Sequence, residues 1–162
     1  MKLSLHRIFK RTRMDDMTEE LKAKVLLVDD EEDFLKTLAE RLETRGLKVS
    51  TATSGENALA SVEGQAYDLI VLDLAMPGID GLETLKRIKE KQPDAEIIML
   101  SGQGSIKTSI EAMKLGAEDF IEKPVNIADL MDKISEAKAK RMLVLQSKSV
   151  KEIEKILHTK GW

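Results

Sequence analysis

The chain has 162 residues, 42% of them hydrophobic, with no cysteine and a formal net charge of −3. This composition suits one domain with its own core and excludes disulfides and thiolate metal sites. No apolar run approaches the ~20 residues of a membrane helix, and the basic N-terminus lacks the apolar segment of a signal peptide. We therefore predict a cytoplasmic protein with no membrane span.

Charge is distributed unevenly along the chain. Residues 1–14 and residues 138–162 each carry a net charge of +5, which leaves −13 for the residues between them. A folded nucleic-acid-binding domain is usually basic. The acidic centre therefore argues against direct DNA binding and favours a module that binds cations and proteins.

Residues 24–136 alternate between strand and helix patterns. The predicted strands occupy residues 24–29, 48–53, 68–73, 96–101 and 119–122. The first, third and fourth strands are almost continuously apolar, which is typical of central parallel strands covered on both faces. Five strand–helix units predict an α/β fold, a doubly wound five-stranded parallel sheet with five helices.

The helices between the strands have recognisable ends. Side chains that can cap the last four of them are Ser54, Asp80, Ser105 and Asn126. The first helix carries apolar residues, Phe34 among them, at helical spacing and ends at Gly46. Three methionines are predicted to fill the core: Met76, Met99 and Met113.

Polar side chains end four of the predicted strands. Asp29 and Asp30 follow the first, Asp73 ends the third, Ser101 ends the fourth and Lys123 follows the fifth. The carboxyl ends of parallel strands share one edge of the sheet, which is where α/β folds bind their ligands. We therefore expect these five side chains to form one site.

Three carboxylates at one edge repel each other and need a cation. Oxygen ligands without Cys or His favour Mg²⁺, Mn²⁺ or Ca²⁺, and a site with few protein ligands suits Mg²⁺, with Mn²⁺ as an alternative. An aspartate beside such an ion can act as a nucleophile and form an aspartyl phosphate. The electrostatics thus predict a phosphoryl-acceptor site in which metal and lysine offset the developing charge.

Five separated motifs resemble the receiver domain of two-component response regulators, the CheY-like family. They are Asp29-Asp30, Asp73 with Met76-Pro77-Gly78, Ser101-Gly102, Phe120, and Lys123-Pro124. The resemblance covers residues 23–138 and implies a flavodoxin-like sheet of order 2-1-3-4-5. It also implies a signalling module, not an enzyme, that takes phosphate from a sensor histidine kinase or phosphotransfer protein in a phosphorelay and then acts on a downstream protein.

The resemblance assigns a role to each residue of the site. Asp73 would be the phosphoacceptor, and the metal would be held by Asp29, Asp30, Asp73 and the backbone carbonyl of Ala75. Lys123 would pair with the phosphoryl group. The remaining members belong to the switch.

Ser101 would donate its hydroxyl to a phosphoryl oxygen and move on activation, and Phe120 would swing inward as it does so. The face expected to change consists of helix 105–115, strand 119–122 and helix 126–138. Two other readings stay open. A haloacid-dehalogenase-like hydrolase would need a second acid where Ala75 stands, and a degenerate receiver acting as a scaffold would not need the complete set of site residues found here.

The two ends lie outside this pattern. Residues 1–22 form a basic arm, predicted to be flexible, and residues 139–162 form a basic helical extension or linker that is too short for an output domain of ~50 or more residues. Val150, Ile153 and Leu157 make an apolar stripe that either continues the fifth helix or docks as a short separate one. We expect the stripe to be covered by its own receiver, a second copy or a partner, and favour a homodimer.

Overall fold

The computed structural model describes residues 22–76, 78–102 and 106–159. Its strands are β1 (Lys24–Val28), β2 (Lys48–Ala52), β3 (Leu69–Asp73), β4 (Ile97–Ser101) and β5 (Asp119–Glu122). Its helices are α1 (Glu32–Thr44), α2 (Gly55–Gly64), α3 (Gly81–Lys91), α4 (Ile106–Lys114) and α5 (Ile127–Thr159). Each strand begins and ends within one residue of its predicted bounds.

The five strands form one parallel sheet in the order β2-β1-β3-β4-β5. Every residue of β3 and β4 is buried, and so is all of β1 except its first residue. The edge strands β2 and β5 are partly exposed. The predicted α/β class, with a doubly wound five-stranded parallel sheet, is confirmed.

Each face of the sheet has its own apolar core. On one face, Leu26 and Val28 of β1 pack with residues of α2, α3 and α4. On the other, Val25 and Leu27 pack with residues of α1 and α5. This alternation is what a strand covered on both faces requires.

Three of the predicted N-cap residues form the expected capping hydrogen bonds. The side-chain oxygens of Ser54, Asp80 and Asn126 each accept a hydrogen bond from the backbone N–H three residues later, at 3.1, 2.9 and 3.2 Å. The fourth predicted cap, Ser105, lies outside the described residues. These bonds satisfy N–H groups that the first turn of a helix otherwise leaves free.

Two of the three predicted core methionines are buried and one is not. Met76 and Met99 lie in the core, but Met113 is 48% exposed, so that prediction was wrong. The reason is the small contact that α4 makes with the sheet: among its residues only Ala112 is buried. Met113 lies on the outward side of this helix, together with Ile106 and Ile110.

The fifth helix is much longer than the sequence indicated. Predicted over residues 126–138, it runs without a break to Thr159 and has 33 residues, which makes it about 50 Å long. Of these residues, only Leu130, Ile134 and Ala137 are buried. The stripe farther along therefore continues α5. None of the helices in the described residues is both long enough and apolar enough to span a membrane.

Candidate functional site

The sheet brings the predicted site residues to one edge. Asp29 follows β1, Asp73 and Ser101 are the last residues of β3 and β4, and Lys123 follows β5. Because β3 lies between β1 and β4, Asp73 occupies the middle of this edge. The Lys123 backbone N–H donates to the Ser101 carbonyl at 2.7 Å, which continues the strand pairing to the lysine. These residues and Asp30 are called the strand-end site below.

Three carboxylates of the strand-end site converge. Asp29, Asp30 and Asp73 each place one carboxylate oxygen so that these atoms all lie within 4.8 Å of one another. Asp29 and Asp73 are only 1% and 4% exposed, whereas Asp30 faces solvent. An all-oxygen donor set that is buried on one side and open on the other fits Mg²⁺ or Mn²⁺, which keep several water ligands.

Asp73 is an unusual carboxylate because its surroundings disfavour its charge. Burial is the main cause, and together with the negative charge of Asp29 it raises the pKa of Asp73 to about 6. The positive charge of Lys123 and a hydrogen bond from the Ala75 backbone N–H act in the opposite direction. That N–H donates to Asp73 Oδ1 at 3.3 Å. A cation beside Asp73 would favour its ionised form.

Lys123 is held by an acid of the site. Its Nζ donates to Asp29 Oδ2 at 2.7 Å, while the Glu31 backbone N–H donates to Asp29 Oδ1 at 2.8 Å. Burial opposes the ammonium charge, but the hydrogen bond to Asp29 and the charges of Asp73 and Asp29 outweigh it and raise the pKa of Lys123. Both oxygens of Asp29 are therefore already engaged.

The same ammonium lies over an aromatic ring. Lys123 Nζ is 4.4 Å from the centroid of the Phe34 ring, within the range of a cation–π contact. Sequence reasoning assigned Phe34 to the apolar face of the first helix and missed this contact. The available signal was its place in the first turn of α1, a few residues after the acidic pair.

The predicted switch residues lie on neighbouring strands, two positions apart along the sheet. Ser101 is buried at the end of β4, and Phe120 of β5 is half-buried and pairs in register with Met99 of β4. Gly102 is exposed, and a Cβ atom there would meet nothing within 4 Å. This space belongs to Gly102 among the described residues, and the movement of Ser101 stays a prediction.

Gly81, which follows the predicted helix cap Asp80, lies against the backbone of the site. A Cβ atom at Gly81 would lie 2.2 Å from the Asp73 carbonyl oxygen and 2.6 Å from Leu74 Cα. The Gly81 N–H donates to the Leu74 carbonyl at 3.1 Å. The first turn of α3 thus packs directly against the backbone of Asp73 and Leu74. A side chain larger than that of glycine does not fit at position 81.

Comparison with known proteins identifies the family. A family model described as the response regulator receiver domain matches residues 25–135. The chain is 35% identical over 127 residues to the C4-dicarboxylate transport transcriptional regulatory protein DctD of Rhizobium meliloti, covering 78% of this chain and 28% of that protein. It is 43% identical over 114 residues to the nitrogen assimilation regulatory protein NtrX of Azorhizobium caulinodans, covering 69% and 25%.

Solved structures agree. A CheY-like response regulator receiver domain protein from Methanospirillum hungatei superposes with a TM-score of 0.71 at 30% identity, covering 75% of this chain and 98% of that one. NtrX from Brucella abortus superposes with a TM-score of 0.72 at 34% identity, covering 80% and 29%. The chain spans about a quarter of the first curated relatives it matches. The chain belongs to the response regulator receiver domain family.

Proposed function

We propose that this chain is a phosphoacceptor switch of two-component signal transduction, with Asp73 as the residue that accepts the phosphoryl group. One observation carries the proposal: three carboxylates from two separate strand ends meet within 4.8 Å, and the ammonium of Lys123 contacts one of them, Asp29. Gathering negative charges is costly unless a cation offsets them, and a bound cation together with Lys123 could then receive an anionic group. The only reactions the chain would catalyse are its own phosphorylation and dephosphorylation.

The residues present fit a divalent cation. Asp29, Asp30 and Asp73 would hold Mg²⁺ or Mn²⁺, together with the backbone carbonyl of Ala75. When bound, the ion would offset negative charge on the carboxylates and on the transferred phosphoryl group. Asp29 is already bonded at both oxygens, so exposed Asp30 would provide the more direct of the two ligands from this pair.

The transfer itself would use Asp73 as the nucleophile. One of its carboxylate oxygens forms a bond to phosphorus while the P–N bond of a donor phosphohistidine breaks. The departing imidazole takes the electron pair of that bond and, already protonated at its other nitrogen, leaves as neutral histidine of the kinase or phosphotransfer protein. Lys123 exchanges Asp29 for a phosphoryl oxygen, and the Ser101 hydroxyl donates to a second one.

The new dianion would then shift the balance between two conformations. Reversing such a balance from 1:99 to 99:1 takes ~5.5 kcal/mol of differential interaction, and charge-assisted bonds from Lys123 and Ser101 are a plausible source. The change would reach the face made by α4, β5 and the first part of α5, where Phe120 lies. The apolar side of α4 is exposed on this face and would contact the downstream protein.

Phosphorylation with a small acyl phosphate or phosphoramidate in the presence of Mg²⁺ tests the proposal. Intact-mass measurement should show one added phosphoryl group on the wild type and none on Asp73→Asn. Asp68→Asn is the matched control, since Asp68 precedes the same strand at its opposite end. Equal labelling of all three proteins would overturn the assignment of Asp73. Loss of labelling on chelating Mg²⁺, restored by Mn²⁺, should accompany the expected result.

A further inference from the structure

The C-terminal part of α5, residues 142–159 and called here the α5 extension, carries an uncovered apolar face. Seven of its apolar side chains are between 48% and 67% exposed, and together they are called the seam: Met142, Leu143, Leu145, Val150, Ile153, Ile156 and Leu157. A helix with a broad apolar face is normally packed against another segment. The seam therefore marks a surface that something outside the described residues covers.

Contacts between α5 and the sheet fix how this helix is rotated about its axis. Lys140 donates to Glu118, which directly precedes β5, at 2.8 Å. Arg141 donates to the carbonyl of Tyr67, two residues before β3, at 2.9 Å. In the sheet, β1 lies on the other side of β3 from β5. The side of α5 opposite Lys140 therefore faces β1.

Most of the seam lies on the side of α5 that faces β1. At ~100° per residue, five positions lie roughly 140–180° around the helix from Lys140. They are Met142, Leu145, Ser149, Ile153 and Ile156. Four of the five are apolar and the other is small, and the remaining members of the seam lie next to them, on the side away from the sheet. The seam thus looks towards the end of the domain at which β1 begins.

The chain enters the described fold at the base of the α5 extension. The Lys24 backbone N–H donates to Asp68 Oδ2 at 2.8 Å, and Arg141 Nε lies 3.8 Å from Asp68 Oδ1. One carboxylate thus connects the start of β1 to the last residue before the extension. Residues 1–21, called here the N-terminal segment, make up nearly all of the arm predicted to be flexible and lie outside the described residues. They join the fold at this point.

We propose that the N-terminal segment covers the seam of its own chain by running along the α5 extension antiparallel to it. The segment is long enough, since 21 residues span ~31 Å even as a helix and the extension is ~27 Å long. Because it is tethered beside the seam, its effective concentration there is high and little intrinsic affinity is needed. It also carries apolar side chains that can pack on the seam: Leu3, Leu5, Ile8, Phe9, Met14, Met17 and Leu21.

The charges of the two segments agree with an antiparallel arrangement. The part of the N-terminal segment nearest the fold would pass Arg141 and Lys148, and it contains all four of the segment's acids: Asp15, Asp16, Glu19 and Glu20. The basic residues 1–14 would pass Glu152 and Glu154, which flank the seam on its two sides. Opposite charges would meet along both halves, and such complementarity fixes the register of two surfaces.

Disulfide formation in the full chain tests the contact directly, because the chain has no cysteine of its own. If residue 21 lies beside residue 142, Met14 lies at the height of Ser149. Under mild oxidation at low micromolar concentration, Met14→Cys with Ser149→Cys should form an intramolecular disulfide at least about tenfold faster than Met14→Cys with Lys151→Cys, whose second site lies on the Lys140 side. Equal rates would overturn the proposal. A disulfide that instead joins two chains through Ser149→Cys would also overturn it, in favour of a second copy.

Limited trypsin cleavage, read by intact mass, tests whether the seam holds the N-terminal segment. Ile153→Gln with Ile156→Gln should speed cleavage within residues 1–14 at least about tenfold, because cleavage of a docked segment follows the fraction that is released. The control, Lys151→Gln with Lys155→Gln, introduces the same side chains on the other side of the helix and should not speed it. Unchanged circular dichroism would show that α5 stays helical. Equal cleavage of all three proteins would overturn the proposal. Phosphorylation of Asp73 enters neither readout, so failure here would leave the proposed function standing.

Discussion

The strand-end site and the α5 extension, residues 142–159 of α5, differ in what they expose. The site has an excess of negative charge, and the extension has uncovered apolar side chains. The site gathers polar groups from four strand ends, and one ammonium only partly offsets its three carboxylates. The extension presents exposed apolar side chains from a single continuous segment. A surplus of like charge favours a small cation as ligand, whereas uncovered apolar surface favours contact with another protein or protein segment. What a region lacks is thus as informative as what it contains.

The largest effect is expected from removing the ammonium that offsets the acids. Lys123→Met should slow phosphorylation by about 100-fold or more, the usual result of losing one preorganised group that stabilises the transferred charge. Mg²⁺ affinity, measured by calorimetry, should be retained because the carboxylates remain. Lys133→Met is the control, since Lys133 pairs with Asp119 at the opposite end of β5. An equal loss of Mg²⁺ affinity and phosphorylation rate would contradict this division of roles.

The excess negative charge around Asp73 should also make the free energy of unfolding depend on pH. The folded-state pKa of Asp73 is raised to about 6, above the ~3.9 of an unfolded chain. Without metal the folded state therefore binds this proton more tightly, so the contribution of Asp73 to stability is greatest below about pH 4 and is lost as pH rises to about 6.

Asp73→Asn removes this titration. It should make the metal-free domain more stable than the wild type above pH 6, by about 3 kcal/mol, with no difference below about pH 4. Urea unfolding in the presence of a chelator at several pH values measures this, and Asp68→Asn should retain the wild-type profile. A wild type whose stability rises between pH 4 and pH 6 relative to Asp73→Asn would refute the charge imbalance. Mg²⁺ should reduce the difference.

A third, smaller effect should come from the backbone of the site. Gly81→Ala would place Cβ 2.2 Å from the Asp73 carbonyl oxygen, and such overpacking typically costs ~1–3 kcal/mol. Displacement of Asp73 should also slow phosphorylation. Gly64→Ala, in the last turn of α2 with nothing within 4 Å of the new atom, should be neutral or slightly stabilising. Equal unfolding free energies for the two variants would mean that α3 does not constrain the site.

The smallest effect concerns the contact that sets the rotation of the extension. Arg141→Ala loses the bond to the Tyr67 carbonyl and an ion pair with Asp68, which should cost the receiver less than ~1 kcal/mol. Hydrogen exchange of residues 142–148 should nevertheless become faster in the monomer, whereas Lys155→Ala should leave it unchanged. Unaltered exchange in Arg141→Ala would show that helix continuity alone fixes the direction of the seam.

The residues that meet at the strand-end site could be predicted from the sequence, because apolar residues mark each strand and a polar residue marks its end. Apolar runs locate the buried strands to within one residue, and in a parallel sheet the residues that end them must share an edge. The contacts of Lys123 with Asp29 and Phe34 were not predictable in this way. They depend on how far β5 and α1 approach each other, which no spacing along the chain expresses. Gly81 was missed for the same reason, since its importance lies in a contact with another segment.

For the α5 extension the sequence was less informative, because it shows which residues are apolar but not which way they face. The stripe of Val150, Ile153 and Leu157 is plain in the sequence, but its direction relative to the receiver is not. Direction follows from an unbroken helical phase over residues 127–159, and the absence of a stop signal at residue 138 was the available clue. Met113 was misplaced because helical spacing shows which residues share a side of α4 but not which side meets the sheet.

The continuity of α5 gives the molecule a lever. The part beyond Arg141 has 18 described residues and extends about 27 Å from the body of the domain. A tilt of only about 10° at its base would displace the far end by roughly 5 Å, because a helix transmits rotation along its length. Rearrangements of ångström size near β5 would thereby become movements of Thr159 comparable to a full turn of helix.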